Sequence, residues 1–445
     1  MSFLTKQEIK KFIPRPLLSF YHYSLAILGA LFFGYPSRKM VVVGVTGTSG
    51  KSTTVSVLAH LLESAGHRSG FAGTIGFKIG NHFKLNDRKM TMLGRFQTQR
   101  LLRQMFREGC EYAIVETTSQ GIVQHRHRGI HYDLLLFTNL WPEHIEAHGN
   151  FENYKQAKLE LFRYLAKLKP KVLEGMRQPR VIVANTDSEH GKDFLQFQVD
   201  RRVAFGFHPE EVPGVEIIKA EEPKHDARGG SFRIAGHDFH SPLLGEHNLQ
   251  NVLAAVIVGY ILGLTWEEMQ EGVKTIQPIP GRLEFINEGQ SFDVVVDYAF
   301  EPKAMTSLYA TLAPRVKGRL IQVLGATGGG RDVSRRKVLG EMAGTHAQYV
   351  ITTNEDPYDD DPYEIMDEVA SGAVVAGKIL DKNLFKILDR RQAIYKALSL
   401  AESGDMVLIT GKGSEQAMAV EKRRLLAWDD RRVVRDELKK MLRHA

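Results

Sequence analysis

Eleven residues, Gly44-Val45-Thr46-Gly47-Thr48-Ser49-Gly50-Lys51-Ser52-Thr53-Thr54, lie between the apolar run Val41-Val42-Val43 and the apolar-rich run Val55–Leu62. That order predicts a strand, a glycine-rich loop and a helix. A loop ending at a helix N-terminus turns unpaired N–H groups outward, with the positive end of the helix dipole behind them, and so suits a phosphate. In such loops the lysine, here Lys51, reaches the outer phosphates and the following hydroxyl, here Ser52, ligates Mg²⁺. The spacing departs from the usual pattern. Val45 stands at the first-glycine position and Gly44 one residue upstream, while the Gly47–Ser52 core is intact.

What surrounds the loop sets the fold class. Apolar strands Tyr112–Val115, Leu134–Phe137 and Arg180–Ala184 alternate with helical patterns, which predicts a parallel α/β sheet. From Asp200 to His240 the pattern shortens into a small antiparallel patch, and Asn248–Leu262 reads as an apolar helix. The run Ile276-Gln277-Pro278-Ile279-Pro280-Gly281 interrupts the rhythm. A second α/β series follows, with strands at Val294–Val296, Leu320–Leu324, Tyr349–Thr352 and Met406–Ile409. The expected fold class is α/β, a central phosphate-loop domain on a parallel sheet followed by a Rossmann-like, doubly wound C-terminal domain. The expected divisions are an N-terminal apolar helical segment over 1–39, the central domain over 40–280 and the C-terminal domain over 281–445.

Charge and cysteine content narrow the setting. The 445 residues carry a net charge of +7, which suits an anionic small substrate, anionic lipid or nucleic acid. No nucleic-acid motif accompanies it, so nucleic acid is not expected as a partner. The single Cys110 excludes an internal disulfide and fits a reducing cytoplasm. Leu17–Tyr35 is free of charge, with Lys10, Lys11 and Arg15 before it and Arg38 and Lys39 after it. It reads first as a helix packed on the next domain, then as a segment touching a membrane surface, and last as a span. With no small-residue cleavage site evident, a cleaved signal peptide is not expected.

In an open parallel sheet, ligands bind beyond the carboxyl ends of the strands. After Val115 comes Glu116-Thr117-Thr118-Ser119-Gln120, and after Phe137 comes Thr138-Asn139-Leu140-Trp141-Pro142-Glu143-His144. A carboxylate, an imidazole and the Ser52 hydroxyl on one edge suit Mg²⁺ bridging a nucleotide and a substrate. Either Glu116 or His144 alone would read as structural; the shared edge is what marks them.

These segments resemble those of the Mur ligases, closest to the MurE type, the ATP-dependent amide ligases of peptidoglycan precursor synthesis. The resemblance rests on Gly47–Ser52, Glu116–Ser119, Thr138–His144 with His148-Gly149, Tyr154 with Lys158, Gly245 with Asn248 and Asn251, Gly281–Glu284, Asp297–Ala299, Gly329–Asp332 and Gly411–Glu415. It implies an acyl-phosphate route in which a diamino acid, lysine or meso-diaminopimelate, is joined to UDP-MurNAc-L-Ala-D-Glu. It also implies that Gly47, Thr48, Ser49, Gly50, Lys51, Ser52 and Thr53 cradle ATP, with Asn248, Arg282 and Asp297 around the nucleotide. Two Mg²⁺ sites follow from it, one on Ser52 and Glu116, the other on Glu116, His144 and a carbamylated Lys158; Lys51, Glu116, His144 and Lys158 form the catalytic set. The implied substrate contacts are Thr118, Ser119, Arg331, Asp356, Tyr358, Gly411 and Glu415.

The chain also departs from the family pattern. The forty residues ahead of Val41 are too few for the usual N-terminal domain that grips the uridine nucleotide. The family's Asp-Asn-Pro-Arg falls on Glu355-Asp356-Pro357-Tyr358, and a tyrosine cannot pair bidentately with a distal carboxylate. Asp359, Asp360 and Asp361 follow, so an acidic pocket for a lysine ammonium competes with a solvated turn. Glu143, Gln120 and Phe300 replace an Asp and two His residues. The alternatives are another amide ligase of the superfamily (folylpolyglutamate-synthase-like, cyanophycin-synthetase-like or acting on a lipid-linked intermediate) and a non-catalytic nucleotide-binding scaffold at a membrane.

Overall fold

A computed structural model describes residues 14–143, 145–331 and 333–444. The aliphatic runs form two sheets. In the first, β1 (Val41–Thr46), β2 (Ser69–Ala72), β3 (Gly76–Ile79), β4 (His82–Leu85), β5 (Tyr112–Glu116), β6 (Leu134–Phe137), β7 (Val181–Asn185), β8 (Arg201–Gly206), β9 (Glu216–Asp226), β10 (Gly229–Ile234) and β11 (His237–Ser241) lie in the order β11-β10-β9-β8-β7-β6-β1-β5-β2-β3-β4. The strands from β9 to β2 are parallel, and antiparallel hairpins extend both ends. Both faces of the central strands are buried, which is why they read as unbroken apolar runs. The hairpin β3–β4 was not legible in the polar stretch before Lys89; it turns on Gly80 at φ +54°.

In the second sheet, β12 (Glu284–Phe285), β13 (Asp293–Val296), β14 (Leu320–Leu324), β15 (Tyr349–Thr352), β16 (Leu384–Lys386) and β17 (Met406–Ile409) follow the order β12-β13-β17-β14-β15-β16. All pairs are parallel except the β12 edge. Register puts the functional segments on common edges. Val45 lies opposite Glu116 and Thr46 opposite Phe137, so the loops after β1, β5 and β6 emerge together. In the second sheet Ile409 lies beside both Val296 and Val323, which joins the loops after β13, β14 and β17.

Helix α1 (Arg15–Phe32) packs through Ala26 and Ala30, and the close approach is tight enough that a Cβ on Gly129 would lie 2.8 Å from the Ala30 methyl. Among the described residues no helix is long and apolar enough to cross a membrane. Residues 1–13 of the expected N-terminal segment lie outside the described residues.

Two residues before Gly129 and edge-on to the Tyr164 ring, His127 is 0 % exposed, and burial, reinforced by Arg128, lowers its pKa to about 3. The folded chain therefore holds it neutral, while the unfolded chain protonates it below about pH 6.5. Stability from this group is complete above that pH and drains away as pH falls toward 3. At about pH 5.5 the loss is about 1.4 kcal/mol. Melting temperature is expected to fall between about pH 7.5 and 5.5, and His127→Phe to flatten that slope; an unchanged slope in the variant would locate the effect elsewhere.

Candidate active site

The glycine-rich loop joins β1 to α2 (Lys51–Ser64). Gly50, at φ +78°, sits at the helix N-cap, and a Cβ there would lie 2.1 Å from the Asn251 Oδ1 atom. A Cβ on Gly47 would meet the Thr138 hydroxyl at 2.0 Å. The loop is held from the β6 side: Thr48 N donates to the Asn139 carbonyl at 2.9 Å, Ser49 N to Asn139 Oδ1 at 2.9 Å, and the Thr138 hydroxyl to the Ser49 carbonyl at 2.8 Å. Lys51 folds back on the loop, donating to the Gly47 and Thr48 carbonyls at 3.0 and 2.7 Å. Thr53 is buried in the first helical turn.

Glu116 ends β5 directly beside this loop. The Ser52 hydroxyl donates to both of its carboxylate oxygens at 3.0 Å. Thr74, not foreseen from sequence, donates its backbone N–H to Glu116 at 2.7 Å and its hydroxyl at 3.0 Å. The signal lay in topology: Ala72 pairs with Val115, which carries the loop after β2 to the end of β5. A hard carboxylate beside a hydroxyl at a helix N-terminus is a donor set that fits Mg²⁺, which takes oxygen ligands.

The third member comes from α3 (Phe151–Lys167). Lys158 is 1 % exposed, donates to the Gly47 carbonyl at 2.8 Å and lies 4.7 Å over the Tyr154 ring. Tyr154 in turn shares a 3.1 Å hydrogen bond with the Thr48 hydroxyl. Burial, with Lys51 nearby, drives the Lys158 pKa well down, and only Glu143 opposes it. Burial pushes the Glu143 carboxyl up, against Lys51, Lys158, Arg335 and Arg331. His144 lies outside the described residues, as does Asp332. Nearby, Ser119 Oγ shares a 3.0 Å hydrogen bond with His148, while the Thr118 hydroxyl caps the short helix that follows by accepting from Gly121 N at 3.2 Å.

Arg331 connects this cluster to the edge of the second sheet. It acts electrostatically on Glu143 and on the Tyr358 hydroxyl. There Lys412, 0 % exposed, donates to both Asp356 oxygens at 3.0 Å, to Glu415 at 2.5 Å and to the Ala417 carbonyl at 2.8 Å. A further cation arrives from the first sheet: Lys89, just beyond β4, is hydrogen-bonded to Asp356 and lies 3.1 Å from Glu415. The Asp356–Glu415 pair thus holds an ammonium group. Gly411, at φ +105°, backs onto Glu355, where a Cβ would meet the carboxylate at 2.2 Å.

The remaining candidates divide. Asn248 is buried on α4 (Glu246–Ile261), where its carbonyl accepts from Asn251 at 3.2 Å and its amide donates to the Leu244 carbonyl at 2.9 Å. The Arg282 guanidinium lies 4.2 Å over the Tyr298 ring, and both Asp297 oxygens accept backbone N–H groups, from Leu283 and Ala299, at 2.7 Å. The acidic-pocket reading of Asp359–Asp361 is corrected. Asp359 accepts from Lys422 N at 2.8 Å, Asp360 from Gly329 N at 3.0 Å, and Asp361 caps the helix Pro362–Val375 through Tyr363 N at 2.8 Å. These exposed acids secure a turn, as short acidic side chains commonly do.

Comparison with known proteins gives the family and the fold. A model of the Mur ligase middle domain matches residues 45–259, and one of the Mur ligase glutamate ligase domain matches 281–413. The chain is 36% identical over 400 residues to the UDP-N-acetylmuramyl-tripeptide synthetase of Roseiflexus sp. (strain RS-1), covering 88% of this chain and 77% of that protein. It is 31% identical over 432 residues to the UDP-N-acetylmuramoyl-L-alanyl-D-glutamate--2,6-diaminopimelate ligase of Geobacillus kaustophilus (strain HTA426), covering 96% and 84%. A solved structure of a UDP-N-acetylmuramoyl-L-alanyl-D-glutamate--2,6-diaminopimelate ligase superposes with a TM-score of 0.57 at 27% identity, covering 91% of this chain and 79% of that one.

Proposed function

We propose, from the premise that this chain belongs to the Mur ligase family of ATP-dependent, C–N bond-forming ligases, that it adds a diamino acid to UDP-MurNAc-L-Ala-D-Glu. The observation that carries the reading is the convergence of the glycine-rich loop, Glu116 from the adjoining strand end and Lys158, whose burial disfavours its charged form, from α3. We assign 40–280 to nucleotide and donor binding, 281–445 to the acceptor, and 1–39 to an N-terminal helical segment. The single, buried Cys110 suits a cytoplasmic setting.

The donor carboxylate oxygen bonds to the γ-phosphorus of ATP as the bond to ADP breaks. The acceptor amine nitrogen then bonds to the carbonyl carbon, a proton leaves the nitrogen, and the C–O bond to phosphate breaks. Both partners of the first step are anions, so this chain's task is to supply positive charge without reorganisation. The backbone N–H groups of 47–53 and the Lys51 ammonium take the phosphates. Ser52 and Glu116 are assigned to one Mg²⁺, and Glu116, His144 and carbamylated Lys158 to the other; when bound, the ions neutralise the phosphate oxygens. Asn248, Arg282 and Asp297 are assigned to the nucleotide, and Thr118 and Ser119 to the donor. Arg331, Asp356, Tyr358, Gly411 and Glu415 are assigned to the acceptor.

For the acceptor, Tyr358 offers no guanidinium to a distal carboxylate, whereas Asp356 and Glu415 already hold the Lys89 ammonium. We expect phosphate release that requires both donor and amine, with L-lysine used more efficiently than meso-diaminopimelate. Phosphate release indifferent to every amine would refute ligation; the reverse order of the two amines would refute only the acceptor assignment.

A further inference from the structure

Helix α1 is apolar on two opposite sides. One side, through Ala26, Gly29 and Ala30, is buried against the protein. On the other side Leu17, Phe20, Tyr21, Leu28, Leu31 and Phe32 recur at helical spacing and face outward, with Phe20 68 % and Phe32 76 % exposed. Phe96 of the neighbouring helix Arg95–Arg107 extends this surface, its ring 6.3 Å from that of Phe32. A continuous apolar face of this kind marks an interaction site.

The rim identifies the occupant. Arg38 and Lys39 are exposed just beyond the C-terminus of α1, Arg100 is exposed on the neighbouring helix, and Arg103 of that helix donates to the Phe33 carbonyl at 3.2 Å. No aspartate or glutamate occurs between Glu8 and Glu63, and the neighbouring helix carries none before its C-cap, Glu108, at the end away from Phe96. A second copy of this chain would set cations against cations. A bilayer surface bearing anionic headgroups matches both parts, taking the apolar side chains at its acyl boundary and the arginines at its phosphates. Tyrosine and phenylalanine on the same face suit that depth. We propose that α1 lies flat on an anionic membrane surface and holds the enzyme there as a peripheral, reversible binder.

Flotation of the full chain with vesicles of phosphatidylcholine alone, or mixed with phosphatidylglycerol, tests this directly. Binding is expected only with the mixed vesicles, and to weaken as salt is raised. The double variant Phe20→Glu/Leu31→Glu replaces two exposed side chains and should lower binding by roughly tenfold or more, with phosphate release unchanged. Three results would overturn the proposal. One is folded wild-type chain that stays unbound to mixed vesicles, and another is equal binding by the double variant. The third is a dimer, split by Leu31→Glu, that ignores vesicles, which would assign the face to a second copy.

Discussion

Lys158→Ala is expected to lower ligation by roughly a hundredfold to a thousandfold, and acetate or formate to restore part of it. The argument begins with burial. A lysine with almost no exposure, held at 2.8 Å from the Gly47 carbonyl and near the Lys51 cation, loses its proton readily. The neutral amine is a nucleophile toward dissolved CO₂. A nitrogen–carbon bond forms, a proton departs, and an uncharged side chain becomes an anion with two oxygens. Lys51, Arg331 and Arg335, the cations that act on Glu143 at this site, favour that anion. Its oxygens also suit Mg²⁺ as a nitrogen would not. Truncation to alanine removes the carbamate and leaves a space that a small carboxylate can enter. Lys158→Met, which fills the space, should lose activity without rescue. A ¹³C carbamate signal from labelled bicarbonate should appear in the wild-type chain and vanish in both variants. Undiminished turnover in Lys158→Ala would remove this residue from the metal site. Loss of turnover with no wild-type carbamate signal would leave it a structural lysine.

The part of this site that follows chain order was legible, because a parallel sheet sends the C-terminal ends of its strands to one edge. Knowing that Val41–Thr46 and Tyr112–Glu116 are parallel neighbours is enough to bring Ser52 and Glu116 together; His144, the other residue expected on this edge, lies outside the described residues. Thr74 escaped because it follows a short strand in a glycine-rich stretch, and only the pairing of Ala72 with Val115 shows where that stretch goes. Lys89 escaped for a different reason: its partner Asp356 is 267 residues away, on the other sheet. Nothing local distinguishes it from a solvated lysine. Asp359–Asp361 misled in the opposite sense. Three consecutive acids suggest a field for a cation, but each carboxylate accepts a backbone N–H, and the field is supplied by Asp356 and Glu415.

Replacing either partner of the buried Asp356–Lys412 pair should destabilise the C-terminal part of the chain, and replacing both should cost less than the sum. Lys412 is fully buried, and its ammonium spends its donors on Asp356, Glu415 and the Ala417 carbonyl. Asp356 accepts from Lys412, from Lys89 and from Ala419 N at 2.6 Å. Against burial, which raises it, Lys412 and Lys89 hold the Asp356 carboxyl below its usual range. Asp356→Asn leaves two lysines sharing Glu415, and a buried charge stripped of its partner costs about 3–5 kcal/mol. Lys412→Met keeps the volume and leaves Asp356 its contacts with Lys89 and Ala419, so its cost should be smaller. Denaturant midpoints of the two single variants and the double variant should give a coupling of about 2 kcal/mol. Strict additivity would show that the pair is not an energetic unit. A further variant separates scaffold from function. Lys89→Ala removes the cation that reaches across from the first sheet while the Asp356–Lys412 pair stays intact. If that ammonium occupies the place of the acceptor's amine, Lys89→Ala lowers the KM for the amine, leaves that for ATP unchanged and barely moves the midpoint. A KM for the amine that does not change would show that Lys89 joins the two parts of the chain without touching the acceptor's position.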